Sequence, residues 1–190
     1  MHQFKELGSL TLITSIALWT FTAVKLLLGV SEVFGSSLAL VGFSSILLLT
    51  MLLVAAILFG CWIYRANANA HVIADGLSIS PGWAVGWYFV PIMCLYQPYV
   101  AMKETWLASH YGGNWGDAEA SGLLPVWWGA WLLSGFVGYG TVFAGQNAEL
   151  TGDFTLASAL ITVVATFALT RVMAQIQEGQ RVMRHAEVFA

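Results

Sequence analysis

Arg65, Asn67 and Asn69 stand where one apolar run gives way to Arg65-Ala66-Asn67-Ala68-Asn69-Ala70, and Lys103 and Glu104 stand where another apolar run ends. A guanidinium offers five donors in a planar fork and a carboxylate accepts two of them, so an Arg65–Glu104 pair is expected to pin those ends together. The plainer alternative is that Arg65 and Lys103 lift their charges to lipid headgroups while their stems cover apolar surface. Pro91 and Pro98 free backbone carbonyls at membrane depth, where broken helices mark some transport sites and are more often plain kinks. Ser158, Thr162, Thr166 and Thr170 recur every four residues, along one helical ridge. Thr11, Ser15, Thr22 and Lys25 make a similar polar edge on an earlier segment. Such hydroxyls line a polar path in some proteins and bond back to the carbonyl four residues earlier in most. Lys25, close to the end of its run, is expected to snorkel.

A different chemistry is spelled by Val137-Gly138-Tyr139-Gly140, four letters of the potassium-selective loop whose carbonyls replace an ion's hydration shell. Pro125 to Gly135 would then be a short pore helix and Phe154 to Ala174 the inner helix. Against it, Phe136 takes the place of the loop's threonine, Thr141 that of its aspartate, and Leu123 to Ala144 is one unbroken apolar run. Ala130, Ser134 and Gly138 recur every four residues in that run and form a small-residue packing face. Metal and redox chemistry are poorly served. His2, His71, His110 and His185 fall in tails or loops, Cys61 and Cys94 read as small buried hydrophobes without a C-x-x-C pair, and no His-Glu-x-x-His run exists. No catalytic residue, cofactor or metal site is expected.

The elements that must position these residues are membrane helices. Of 190 residues, 58% are hydrophobic and 9% charged, against roughly a quarter charged in a soluble domain. The net charge of −3 gives no reason to expect a nucleic-acid partner. Four stretches, about 10–28, 38–64, 123–144 and 154–174, are long and apolar enough to cross a bilayer core of roughly 30 Å. The first lacks a cleavage pattern and reads as retained. Residues 83–102 carry no charge, but Pro91 would divide them into half-helices of about 8 and 11 residues, each about half a bilayer core in length. Residues 175–190 form a charged amphipathic tail. The expected fold is an all-α integral membrane domain over 1–190: four transmembrane helices plus a proline-broken re-entrant or interfacial segment, with five transmembrane helices as the alternative.

Lysine and arginine counts favour the first arrangement. If residues 83–102 dip and return, one face carries Lys5, Arg65, Lys103, Arg171, Arg181 and Arg184 and the other only Lys25; if they cross, the split is two to five. Both termini are then cytoplasmic. Trp83, Trp87, Tyr88, Tyr96, Tyr99 and Trp106 run through and just past the segment, whereas a plain span gathers such rings at its ends.

Ser80-Pro81-Gly82-Trp83-Ala84-Val85-Gly86-Trp87-Tyr88-Phe89-Val90-Pro91, with the Arg65-to-Ala70 run before it and Leu95-Tyr96-Gln97-Pro98-Tyr99, Met102-Lys103-Glu104-Thr105-Trp106 and Trp127-Trp128 after it, resembles the bacterial membrane family catalogued as domain of unknown function 4328. The resemblance covers about Trp62 to Trp131. It implies a multi-span bundle and supplies no chemistry.

The function expected from these readings is that of a non-catalytic packing or interaction subunit of the bacterial inner membrane, associating with other membrane proteins or with itself. Its contact faces would be the tryptophan-rich segment and the small-residue face of the Pro125-to-Phe143 helix. Arg65, Asn69, Trp83, Trp87, Pro91, Pro98, Glu104, Trp127 and Trp128 are the structural and interaction candidates. The alternative is an oligomeric cation channel or small-solute transporter using Val137–Gly140 or the broken segment.

Overall fold

A computed structural model describes residues 4–34, 38–145 and 147–188 of the chain. Among them there is no strand; six helices carry the fold: α1 (Gly8–Val33), α2 (Leu38–Ile73), α3 (Pro81–Gly86), α4 (Gln97–Tyr111), α5 (Leu123–Ala144) and α6 (Ala148–Val188). Three of them, over Gly8–Val33, Gly42–Ile73 and Ala148–His185, are long and apolar enough to cross a membrane. At 22 residues α5 spans about 33 Å, and its apolarity rests on tryptophan and glycine as much as on aliphatic side chains.

Two helices outrun the spans expected of them. α2 has 36 residues and continues through Arg65 to Ile73, because Ala66, Ala68 and Ala70 are strong helix formers and nothing there breaks the chain. α6 has 41 residues, so the last span and the amphipathic tail are one helix as far as Val188. At 1.5 Å per residue these helices measure about 54 and 60 Å, well beyond a bilayer core.

The broken segment departs from two half-helices. α3 ends at Gly86, a single 3-10 turn covers Trp87–Phe89, the chain is non-helical around Pro91, and a second 3-10 turn covers Met93–Leu95. Ile92 takes φ 68°, a left-handed conformation costly for a β-branched residue. Pro98 does not break a helix. It sits in the first turn of α4, where a missing N–H costs nothing, and Pro81 opens α3 in the same way. α4 passes Met102 and stops at Gly112, φ 59°.

The chain divides into two compact units, with the boundaries inside α1, α2, α5 and α6: one of Met1–Thr14, Leu58–Pro125 and Leu169–Ala190, the other of Ser15–Ile57 and Val126–Ala168. In the first, Gly179 of α6 meets α4 so closely that a Cβ there would lie 2.5 Å from the Ser109 carbonyl oxygen. In the second, a Cβ on Gly29 of α1 would lie 2.8 Å from Leu156 Cα, and one on Gly152 of α6 would lie 3.1 Å from Val33 N. Glycine at these positions is what lets the backbones touch.

Candidate functional sites

The alanine-rich end of α2 buries two amides in the first unit. Asn69, 1% exposed, accepts the Lys5 N–H through Oδ1 at 2.9 Å and donates through Nδ2 to the Lys5 carbonyl at 2.7 Å. That pairing is the one a neighbouring strand would offer, so it holds the segment before α1 by its backbone, whatever its side chains. The second Nδ2 proton goes to Oε1 of Gln180 on α6 at 2.9 Å. Gln180 in turn donates to the Ala66 carbonyl at 2.9 Å and to Ser109 Oγ at 3.1 Å. Asn67, fully buried, donates to Thr105 Oγ1 at 3.1 Å, and its Oδ1 has no partner among the described residues.

The expected Arg65–Glu104 pin is not formed. Arg65 Nη1 donates to the Glu6 carbonyl at 3.4 Å, and the Arg184 guanidinium lies over the Phe4 ring, 4.9 Å from its centre, and 3.8 Å from the Glu6 carboxylate. Glu104 instead accepts from Ser78 N–H at 2.9 Å, from the Ser78 hydroxyl and from Ile79 N–H at 3.3 Å. The reason is local: a non-helical stretch with unpaired N–H groups competes successfully for the carboxylate. Glu104 thereby ties the residues just before the broken segment to α4 just after it.

The aromatic candidates fall into two environments. Trp83 and Trp87 stack on one another at 4.5 Å, and Trp62 stacks on Phe59 at 6.1 Å while donating to Thr11 Oγ1 at 2.9 Å. Beyond them the chain presents an uncharged tip, with Phe89 81%, Ile92 79% and Tyr96 63% exposed around an exposed Pro91.

In the second unit the two polar edges meet one another. Thr22 Oγ1 lies 2.7 Å from Thr166 Oγ1, and Lys25 Nζ donates to Ser158 Oγ and to Thr162 Oγ1, both at 2.8 Å. Lys25 therefore does not reach out to the end of its helix. Ser158 also donates to the Ser134 carbonyl at 2.7 Å, and a Cβ on Gly138 would lie 3.0 Å from Ser158 Oγ. The small-residue face of α5 is thus taken up by α6. Trp127 and Trp128 are buried beside each other, ring centres 5.2 Å apart. Val137–Gly140 lies within the uninterrupted α5, whose carbonyls run along the helix axis; the extended loop that a carbonyl filter needs is not there. Cys61 is exposed on α2 and Cys94 half-buried, contrary to their reading as buried hydrophobes.

A sequence profile described as Domain of unknown function (DUF4328) matches residues 27–178. The chain belongs to the DUF4328 family. No curated protein and no solved structure matches it. The DUF4328 match extends well beyond Trp62 to Trp131 on both sides, and takes in Asn69, Glu104, Ser158 and Thr162. It leaves out Lys5, Lys25 and Gln180, so each polar network of this DUF4328 protein joins matched residues to unmatched ones. Gln180, Ser109 and Ser78 are hydrogen-bond partners in these networks that the sequence did not single out. The signal available for Ser109 is its position four residues after Thr105, on the face of α4 that meets Asn67.

Proposed function

We propose that this DUF4328 protein is a non-catalytic packing or interaction subunit of the bacterial inner membrane, with four crossings, both termini cytoplasmic and one re-entrant or interfacial tip. The hydrogen bonds that Glu104 accepts from the Ser78 and Ile79 N–H groups support this reading: residues on either side of the broken segment meet, which favours a dip over a crossing of some 30 Å. Asn69 adds that the segment before α1 and the far part of α6 meet at one amide, which supports termini on a common face. The excess of lysine and arginine makes that face cytoplasmic.

The contact faces of such a subunit are the tip at Phe89, Ile92 and Tyr96, and on α5 the row Phe136, Tyr139 and Phe143, exposed 70%, 62% and 81%. This row takes the place of the small-residue face, which α6 occupies. A photocrosslinking residue at Phe136 or Phe89 in native membranes tests the proposal. A discrete protein adduct, to another copy or to one partner, supports it; adducts to lipid alone overturn it. The second proposal, passage of a small solute or ion, is favoured by Lys25 inside the polar contact of α1 and α6, and flux in proteoliposomes tests it.

A further inference from the structure

Lys25 places an amino group on a helix apolar enough to cross the membrane, and among the described residues no carboxylate pairs with it. Its two partners are hydroxyls, and both hydroxyl protons are already committed: Ser158 donates to the Ser134 carbonyl at 2.7 Å and Thr162 to the Ser158 carbonyl at 2.8 Å. Each oxygen therefore meets Nζ as a pure acceptor. The pair orients the ammonium without neutralising it. No carboxylate pairs with Lys25 among the described residues; Glu32, on the same face of α1, is seven residues on, about 10 Å along the axis. Room for the side chain to swing is limited on both sides. Gly29 sits against the Leu156 backbone one turn beyond, and Thr22 is bonded to Thr166 one turn before.

An ammonium has three N–H groups, of which two are used here. The third, on a half-buried side chain, has no partner among the described residues. A charge in hydrocarbon is held only with a counter-charge or at high cost. We propose that Lys25, fixed by Ser158 and Thr162, is a binding site for one small monovalent anion, a halide or a single carboxylate oxygen of a solute. One donor and one charge suit a monodentate ligand. The same count disfavours phosphate or sulfate, which would need more donors than the site has left.

The test is chloride-35 NMR on the full-length protein in detergent, with chloride as the probe. Expected is a saturable broadening of the chloride resonance that Lys25→Met removes and Lys25→Arg retains in part. Acetate added to the wild type separates the sources: displacement of chloride at lower acetate than chloride concentration assigns a carboxylate, and the reverse a halide. Ser158→Ala/Thr162→Ala, which keeps the charge and loses its anchors, is expected to weaken binding about tenfold or more. Absence of saturable broadening in folded wild type, or equal broadening in wild type and Lys25→Met, overturns the proposal. Should Lys25→Met not fold, the wild-type titration and the hydroxyl variant decide it alone.

Discussion

Replacing Asn69 by alanine removes three hydrogen bonds at once, and the structure says what each is worth. The two to the Lys5 backbone are partly buried, so water can take over there and each loss costs about 0.5–1 kcal/mol. The third leaves Oε1 of Gln180 without a donor in a site 1% exposed, where an unsatisfied acceptor costs about 1–3 kcal/mol. Asn69→Ala is therefore expected to destabilise the protein by about 2–5 kcal/mol in reversible unfolding from mixed micelles, followed by circular dichroism. Gln180→Met removes the stranded acceptor, so the double variant should lose about 1–2 kcal/mol less than the sum of the single ones. The Ala66 carbonyl tolerates that change, since the Ala70 position offers it a helical N–H. Strict additivity, or a loss below about 0.5 kcal/mol for Asn69→Ala, would refute the network as a source of stability.

Three further outcomes follow from other contacts. Gly29→Val places a side chain against the Leu156 backbone, 2.8 Å from Cα at its first atom, and should cost about 1–3 kcal/mol or more in the same unfolding assay; a neutral result would mean that α1 and α6 are not in contact there. Glu104→Ala strips the Ser78 and Ile79 amides of their acceptor, and hydrogen exchange at both should quicken about tenfold, with unchanged rates counting against the tie. Ile92→Gly relieves a φ of 68° at a position 79% exposed, so it should be neutral or stabilising by about 1 kcal/mol; clear destabilisation would contradict the strained turn.

Much of the fold was legible because membrane helices announce themselves by apolar length. α1, α2 and α6 follow from that alone, and their polar edges were visible as hydroxyls at helical spacing. That Thr22 would meet Thr166, and Lys25 Ser158, was not visible, because spacing fixes the face of a helix and not its neighbour. The Arg65–Glu104 pairing failed for a related reason. Opposite charges near two helix ends suggest one another, yet the Ser78 and Ile79 amides competed for Glu104 in a stretch with no sequence signal for an anion. Val137–Gly140 misled in the opposite direction: four letters match a loop, but an apolar run of 22 residues with no break stays helical. Asn69 stood out in the sequence and makes three hydrogen bonds in the structure, while its partner Gln180, more than 100 residues away, could be found only through the packing.

The topology is tested most directly by the sidedness of the loop after α4. In a background without Cys61 and Cys94, single cysteines at Asp75 and Asn114 are exposed to a membrane-impermeant thiol reagent, in intact cells and in inverted vesicles. Both are expected to label in inverted vesicles and neither in intact cells. Labelling of Asn114→Cys from outside, with Asp75→Cys reached only from inside, would mean that residues 83–102 cross the membrane.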